Sequence, residues 1–375
     1  MTLVTEKKLY GLDHLRALAI MLVFVFHYGR IFPHPEWTNT VSKFGWTGVD
    51  LFFVLSGYLI ASQLFLKISE GKSISCREFF VKRFFRIIPA YLVVVAIYFL
   101  FPYVHEREAL APLWKYLTFT QNLGLDLRTQ GTFSHAWSLC IEEQFYLLLP
   151  LTLIALIQFR LLKKAGWLLL FLFILGFAAR YFSYVHFVQP NLDSSDIWYF
   201  WYKWIYYPTY CRLDGLLAGV GLAAVLQFRP AWKEKLSLYA NWFLLAGILV
   251  LTSAYFLCME EESFGASVFG FPLVSLGYGM LVLSAICPKG LLFKKGSLVT
   301  AQLATLSYAI YLSHKFVIHV TQDIVSRVGV AADSNSMFII CITTSLSVAL
   351  LMNRLVEKPF LALRDVILKR WQQAG

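Results

Sequence analysis

Charge is scarce in this sequence. Asp, Glu, Lys and Arg together make up 15% of its 375 residues, while apolar and aromatic residues make up 58%. At a mean hydropathy of +0.63, that balance excludes a soluble globular domain of this length. Acidic residues are the scarcer sign, 22 against 33 basic, leaving a formal net charge of +11. The excess does not call for nucleic acid, because the cytoplasmic loops of membrane proteins collect Lys and Arg. Cysteine is sparse too: Cys76, Cys140, Cys211, Cys258, Cys287 and Cys341 form no C-x-x-C pair and fall mostly in apolar stretches. A disulfide framework and a metal centre are therefore not expected. Internal repeats, low-complexity tracts and a polar block long enough for an appended soluble domain are also missing, so residues 1–375 read as one membrane-embedded domain.

What is present is a succession of apolar runs. Ten of them approach the ~20 residues that a membrane-crossing helix needs. They cover 13–33, 46–66, 87–105, 137–159, 165–184, 205–228, 238–258, 266–287, 303–323 and 337–357. The expectation is an all-α, polytopic helix bundle of about ten transmembrane helices in a cell membrane. Lys7 and Lys8 before the first run resemble a signal peptide, but Arg16 interrupts that run and no A-x-A site follows. An uncleaved first span is expected instead. Of the 33 basic residues, 22 fall in the even-numbered connections and the two tails, and eight in the odd-numbered loops, among them Arg180. Both termini are thus expected in the cytoplasm. The stretch 106–136 is long for a turn, and ALAPLWKYLTF within it reads as an interfacial helix.

Ionisable groups inside such runs are costly and by default mark function. Arg16 and His27 stand eleven positions apart with only apolar residues between them. That separation spans roughly 16 Å of helix, about half the hydrocarbon thickness. In GWTGVDLFFVLSGYLI, Gly45 and Gly48 permit a sharp entry to span two and Gly57 permits close helix approach. Asp50 there either caps the helix or belongs to a buried site. In REFFVKRFFRIIPAY, Lys82, Arg83 and Arg86 read either as an anchor for anionic headgroups or as a planar-fork pair for the phosphates of a cytosolic ligand. HAWSLCIEEQFYLLLP places Glu142 and Glu143 about 100° apart on one helix, with Trp137 and Tyr146 at interfacial depth. Arg212 and Asp214 fall within span six and must be paired or hydrated, whereas Ser307, Tyr311 and His314 share a face of span nine. Lys315 is free to snorkel outward.

Taken together, the Arg-x10-His of span one, GWTGVDLFFVLSGYLI, KRFFRIIPAY, WSLCIEEQFYLLLP, RLDGLLAG, LSYAIYLSHK and the terminal VEKP resemble the family-three membrane acyltransferases, in family order over nearly the whole chain. The resemblance implies an integral membrane enzyme that moves an acyl group, commonly acetyl from acetyl-CoA, onto a hydroxyl of a sugar such as O-antigen, exopolysaccharide or peptidoglycan. It also implies His27 as the catalytic histidine with Arg16 as its partner, and Arg83 and Arg86 as arginines linked to coenzyme A. His314 is followed by Lys315 where many relatives carry an aromatic residue or proline. No extracytoplasmic hydrolase-like domain of the kind some relatives carry is expected, which would leave acceptor capture to the membrane domain or a partner.

The residues suit that chemistry. Acyl transfer needs a base for the alcohol proton, a stabilised oxyanion and a good leaving group. His27 is the expected base, with Asp50, Glu142 or Glu143 orienting it. Direct transfer is expected over an acyl-enzyme on Cys140 or Ser56, since neither stands in a nucleophile motif. His27, Asp50, Glu142, Glu143, Arg212 and His314 all come out in the outer halves of their spans, which predicts one shared cavity open to the outside. Other readings remain: a small-molecule or lipid acceptor, a multi-span solute transporter, or a non-catalytic membrane partner. A transporter would favour paired Gly/Pro-broken helices in matching halves, and none is seen.

Overall fold

The computed structural model describes residues 10–374, and among them the chain is helical with no strand. Lys7 and Lys8 lie outside the described residues. The principal helices are α1 (Tyr10–Ile31), α2 (Thr47–Ser69), α3 (Cys76–Leu100), α4 (Trp137–Gln158), α5 (Ala165–Ser183) and α6 (Asp214–Phe228). After these come α7 (Pro230–Leu238), α8 (Ala240–Leu257), α9 (Phe271–Ile286), α10 (Leu298–Ser326), α11 (Asn335–Met352) and α12 (Lys358–Ala374).

Each of the ten expected spans meets a helix, but only eight helical stretches among the described residues are long and apolar enough to cross a membrane. Span six is broken. Its helix begins only at Asp214, runs 15 residues, and gives way at Pro230 to α7, which leaves at 109°. Proline at the first turn has no N–H to lose and a preset φ, so it starts the new helix where the old one ends. Fifteen residues reach about 22 Å, short of the ~30 Å hydrocarbon. Counting the bent pair as one span raises the total to nine. Span nine fails for a different reason. Helix α10 has 29 residues, but its buried side carries Ser307, His314, Lys315 and Gln322, which lower its hydropathy.

Helix starts follow local chemistry. The Ser75 hydroxyl accepts the Glu78 N–H at 3.2 Å and opens α3 well before the expected residue 87. Lys82, Arg83 and Arg86 therefore sit inside this helix rather than in a loop, and Pro89 lies within it rather than at its entry. Ser334 caps α11 in the same manner. In the connection 106–136, the expected interfacial helix shrinks to Leu113–Leu117.

Helix α1 is the hub, packed against α2, α9 and α10, while α2 packs closely on α6. The glycines work through proximity. A Cβ on Gly57 would lie 2.2 Å from the Leu216 carbonyl oxygen of α6, so the two backbones touch. Gly48 has the same role toward α1, where a Cβ would come 2.6 Å from the Ala19 carbonyl oxygen, and no turn with positive φ is involved. A large contiguous apolar core runs through the bundle, with a small second cluster around Ala240, Leu283 and Cys287.

Candidate active site

A pocket of about 160 Å³ opens between α1, α2, α3, α4 and α10. Arg16 of α1 and Arg83 and Arg86 of α3 stand around it, with Ser56 of α2, Ser138, Glu142 and Tyr146 of α4, and Ser307 and Tyr311 of α10. Eight of the residues named from the sequence thus meet in one place, although they come from five helices spread along the chain. Arg83 and Arg86 line the pocket together because three residues are nearly one helical turn.

The basic side is under-neutralised. The Arg83 Nε is buried without a hydrogen-bond partner, and its guanidinium carbon lies 5.9 Å from the centre of the Tyr146 ring. Arg86 Nη1 reaches Glu357 Oε2 only at 3.4 Å, and the other Glu357 oxygen, Oε1, is buried with no hydrogen-bond partner. Three guanidinium groups around a small cavity, one holding an orphaned N–H, fit a multiply charged anion such as a phosphate. Lys82 does not join them. It pairs with Glu78 one turn back at 2.5 Å and is not part of the lining.

Glu142 faces the pocket and its neighbour Glu143 does not, as their divergent directions on α4 require. The Tyr146 hydroxyl donates to Glu142 Oε2 at 3.2 Å and is also bonded to Ser56 Oγ. Tyr146 and Trp137 are buried within the bundle, not interfacial. At the far wall, the Tyr311 hydroxyl donates to the His135 carbonyl at 2.5 Å and accepts from Ser138 Oγ at 2.6 Å. Ser307 spends its hydroxyl on the Ala304 carbonyl.

Beyond Tyr311 lies a cluster of three histidines. His314 Nε2 and His27 Nδ1 are 2.8 Å apart. The His135 ring sits 5.0 Å from that of His314 and 5.7 Å from that of His27, centre to centre. His314 and His135 are buried, while His27 keeps part of its surface open. Among the described residues no carboxylate hydrogen-bonds to His27; its side-chain partner is another histidine. Arg16, at the other end of α1, belongs to the basic pocket and does not pair with His27.

Asp50 is removed from that role by its own partner. Both of its oxygens lie 3.0 Å from Arg212 Nη2, and the guanidinium is enclosed by Trp46, Trp137, Tyr206 and Phe271. Asp214 is held by Arg180 through bonds of 2.6 and 3.1 Å. Arg180 is fully buried, so it does not belong among the loop residues where the charge pattern placed it. The single shared cavity expected from depth alone divides into a basic pocket, a histidine cluster and two structural ion pairs.

Sequence reasoning missed Glu106 and misplaced Lys315. Lys315 Nζ lies 2.8 Å from Glu106 Oε1, and both side chains are buried. The same carboxylate oxygen accepts the Phe133 N–H at 3.1 Å, and Lys315 Nζ lies 3.4 Å from Ser134 Oγ. Phe133 stands at φ 52°, a left-handed conformation that bulky residues avoid. The ion pair clamps this corner, and His135 follows directly. A lysine deep in a 29-residue helix was the available signal that a buried acid must face it.

The site thus joins a basic pocket to a histidine cluster inside a membrane helix bundle. The chain belongs to the family-three acyltransferases: the family model described as an acyltransferase domain matches residues 9–354. Among curated proteins it is 28% identical over 339 residues to the peptidoglycan O-acetyltransferase OatA of Listeria monocytogenes, covering 85% of this chain and 51% of that protein. It is 28% identical to the O-acetyltransferase OatA of Staphylococcus aureus, over 83% of this chain and 50% of the relative. The putative peptidoglycan O-acetyltransferase YrhL of Bacillus subtilis is 29% identical, over 81% and 48%. The chain thus spans about half the length of these relatives. No solved structure matches it.

Proposed function

We propose that this chain transfers an acetyl group from cytosolic acetyl-CoA to a hydroxyl of a cell-wall sugar, as an enzyme of the bacterial plasma membrane with both ends in the cytoplasm. The observation that carries the reading is the juxtaposition of an under-neutralised triple-arginine pocket with His27 beyond its far wall. Peptidoglycan is the acceptor class suggested by the relatives' names.

In this reading Arg83 and Arg86, with Arg16, hold the donor's phosphates by charge-assisted hydrogen bonds. The slim pantetheine arm then points along Glu142 and Tyr146 toward Tyr311. His27 takes the proton of the attacking hydroxyl, the oxygen forms a bond to the acetyl carbon, and the carbon–sulfur bond breaks. The proton leaves with the coenzyme A thiolate. Cys140 is buried and outside the pocket lining, and the Ser56 hydroxyl that lines it is bonded to Tyr146, so this reading takes transfer as direct rather than through an acyl-enzyme.

The test is purified protein in sealed vesicles of known orientation, with labelled acetyl-CoA on one face and peptidoglycan fragments on the other. Labelled sugar supports the reading. Acetyl-CoA binding with no transfer to any sugar acceptor on either face counts against it.

A further inference from the structure

The hydrogen bonds around His314 fix more than its position. Its Nδ1 lies 3.0 Å from the Ile310 carbonyl oxygen and 2.9 Å from that of Tyr311. A carbonyl only accepts, so Nδ1 carries the proton, and in a neutral ring Nε2 is then a bare lone pair. That lone pair faces His27 Nδ1 at 2.8 Å. The His27 nitrogen must be the donor, which leaves the proton of a neutral His27 ring on Nδ1 and its Nε2 unprotonated.

We propose that His314 is the positioning residue of the transfer reaction, setting His27 in the tautomer whose free Nε2 serves as the base. The proposal rests on the transfer reading above. A histidine here does what a carboxylate does in many hydrolytic sites, with backbone carbonyls of α10 as the anchor. The arrangement suits the interior of a bundle, because a neutral ring orients its partner without burying a charge. Its place in the helix fixes the geometry: the two carbonyls belong to the turn before His314. His135 is not the orienting group, since neither of its ring nitrogens has a hydrogen-bond partner.

Two measurements test this. The first needs no turnover: histidine-labelled 15N spectra of the intact protein in lipid. The expected result is a His27 with protonated Nδ1 and unprotonated Nε2, identified by loss of its signals in His27→Ala. A His27 protonated on Nε2 overturns the proposal even if the enzyme transfers acetyl groups. The second compares His314→Gln with His314→Leu. Glutamine keeps an acceptor at this reach and is expected to retain kcat within about tenfold. Leucine is expected to lower kcat by on the order of 10²-fold or more, with KM for acetyl-CoA unchanged, and to let the His27 tautomers mix in the spectrum. Equal kcat in the two variants, or a loss confined to KM, overturns it. A protein that shows the expected tautomer but acetylates no sugar instead counts against the transfer reading and leaves the His314 assignment standing.

Discussion

Both carboxylate oxygens of Asp50 meet one guanidinium nitrogen of Arg212, each at 3.0 Å, in the middle of the bundle. The pair braces α2 against the segment entering α6 and has no contact with His27. Breaking a buried pair on one side leaves an uncompensated charge, typically at a cost of about 3–5 kcal/mol. Asp50→Ala should therefore lower the melting temperature and folded yield sharply, while Asp50→Leu combined with Arg212→Met should recover much of the loss. Thermal unfolding in detergent reads both. A stable Asp50→Ala with kcat lowered a hundredfold would return Asp50 to the reaction.

Arg83 and Arg86 should govern donor binding. A hydrogen bond to a charged group contributes about 1.5–3 kcal/mol, so each Arg→Ala change should weaken acetyl-CoA binding by about tenfold or more. Lysine replacements should restore only part, since a point charge lacks the two-pronged geometry. Isothermal titration on the purified variants measures this. Unaltered binding in the double alanine variant would leave the pair as an anchor for lipid headgroups.

Glu357 competes for one of those arginines. Its Oε2 lies 3.4 Å from Arg86 Nη1 and 2.9 Å from Asn353 Nδ2. Glu357→Gln should free Arg86 and tighten acetyl-CoA binding about two- to fivefold, in keeping with the modest strength of a part-exposed ion pair. Weaker binding in this variant would mean that Glu357 holds Arg86 in place instead.

Much of this was legible in the sequence, and the reasons are specific. The apolar runs located ten of the twelve principal helices, missing the polar α7 and α12, because the bilayer forces backbone groups to bond within their own segment. Arg83 and Arg86 stood out as a pair one helical turn apart, but the spacing alone left them open between a headgroup anchor and a phosphate grip. Partners were not legible. That Asp50 belongs to Arg212 and His27 to His314 depends on which helices touch, and spacing along one helix says nothing of that. Lys315 was misjudged because snorkelling assumes a lipid-facing side, yet its face of α10 is turned inward, with 1% of the residue exposed. Span six was drawn straight through 205–228 because Tyr206, Tyr207 and Tyr210 read as apolar, whereas Thr209–Cys211 is a single 3-10 turn and the α-helix begins only at Asp214.

Lys315 and Glu106 predict a distinct phenotype. Lys315→Met strands the Glu106 carboxylate in the interior and should destabilise the protein by about 3–5 kcal/mol, with the double variant Lys315→Met, Glu106→Gln partly rescued. Because the pair secures the Phe133 corner that precedes His135, the rescued double variant should still lose activity at the histidine cluster while binding acetyl-CoA normally. Thermal unfolding and donor titration on the same samples separate these effects. Weakened donor binding in the rescued variant would contradict this placement.

The most direct test of the central claim is turnover of purified His27→Ala. The account predicts folded, membrane-inserted protein that binds acetyl-CoA as the wild type does, with acetyl transfer to a peptidoglycan fragment reduced about 10²- to 10⁴-fold, the usual effect of losing a general base. Near-normal transfer in that sample would contradict it.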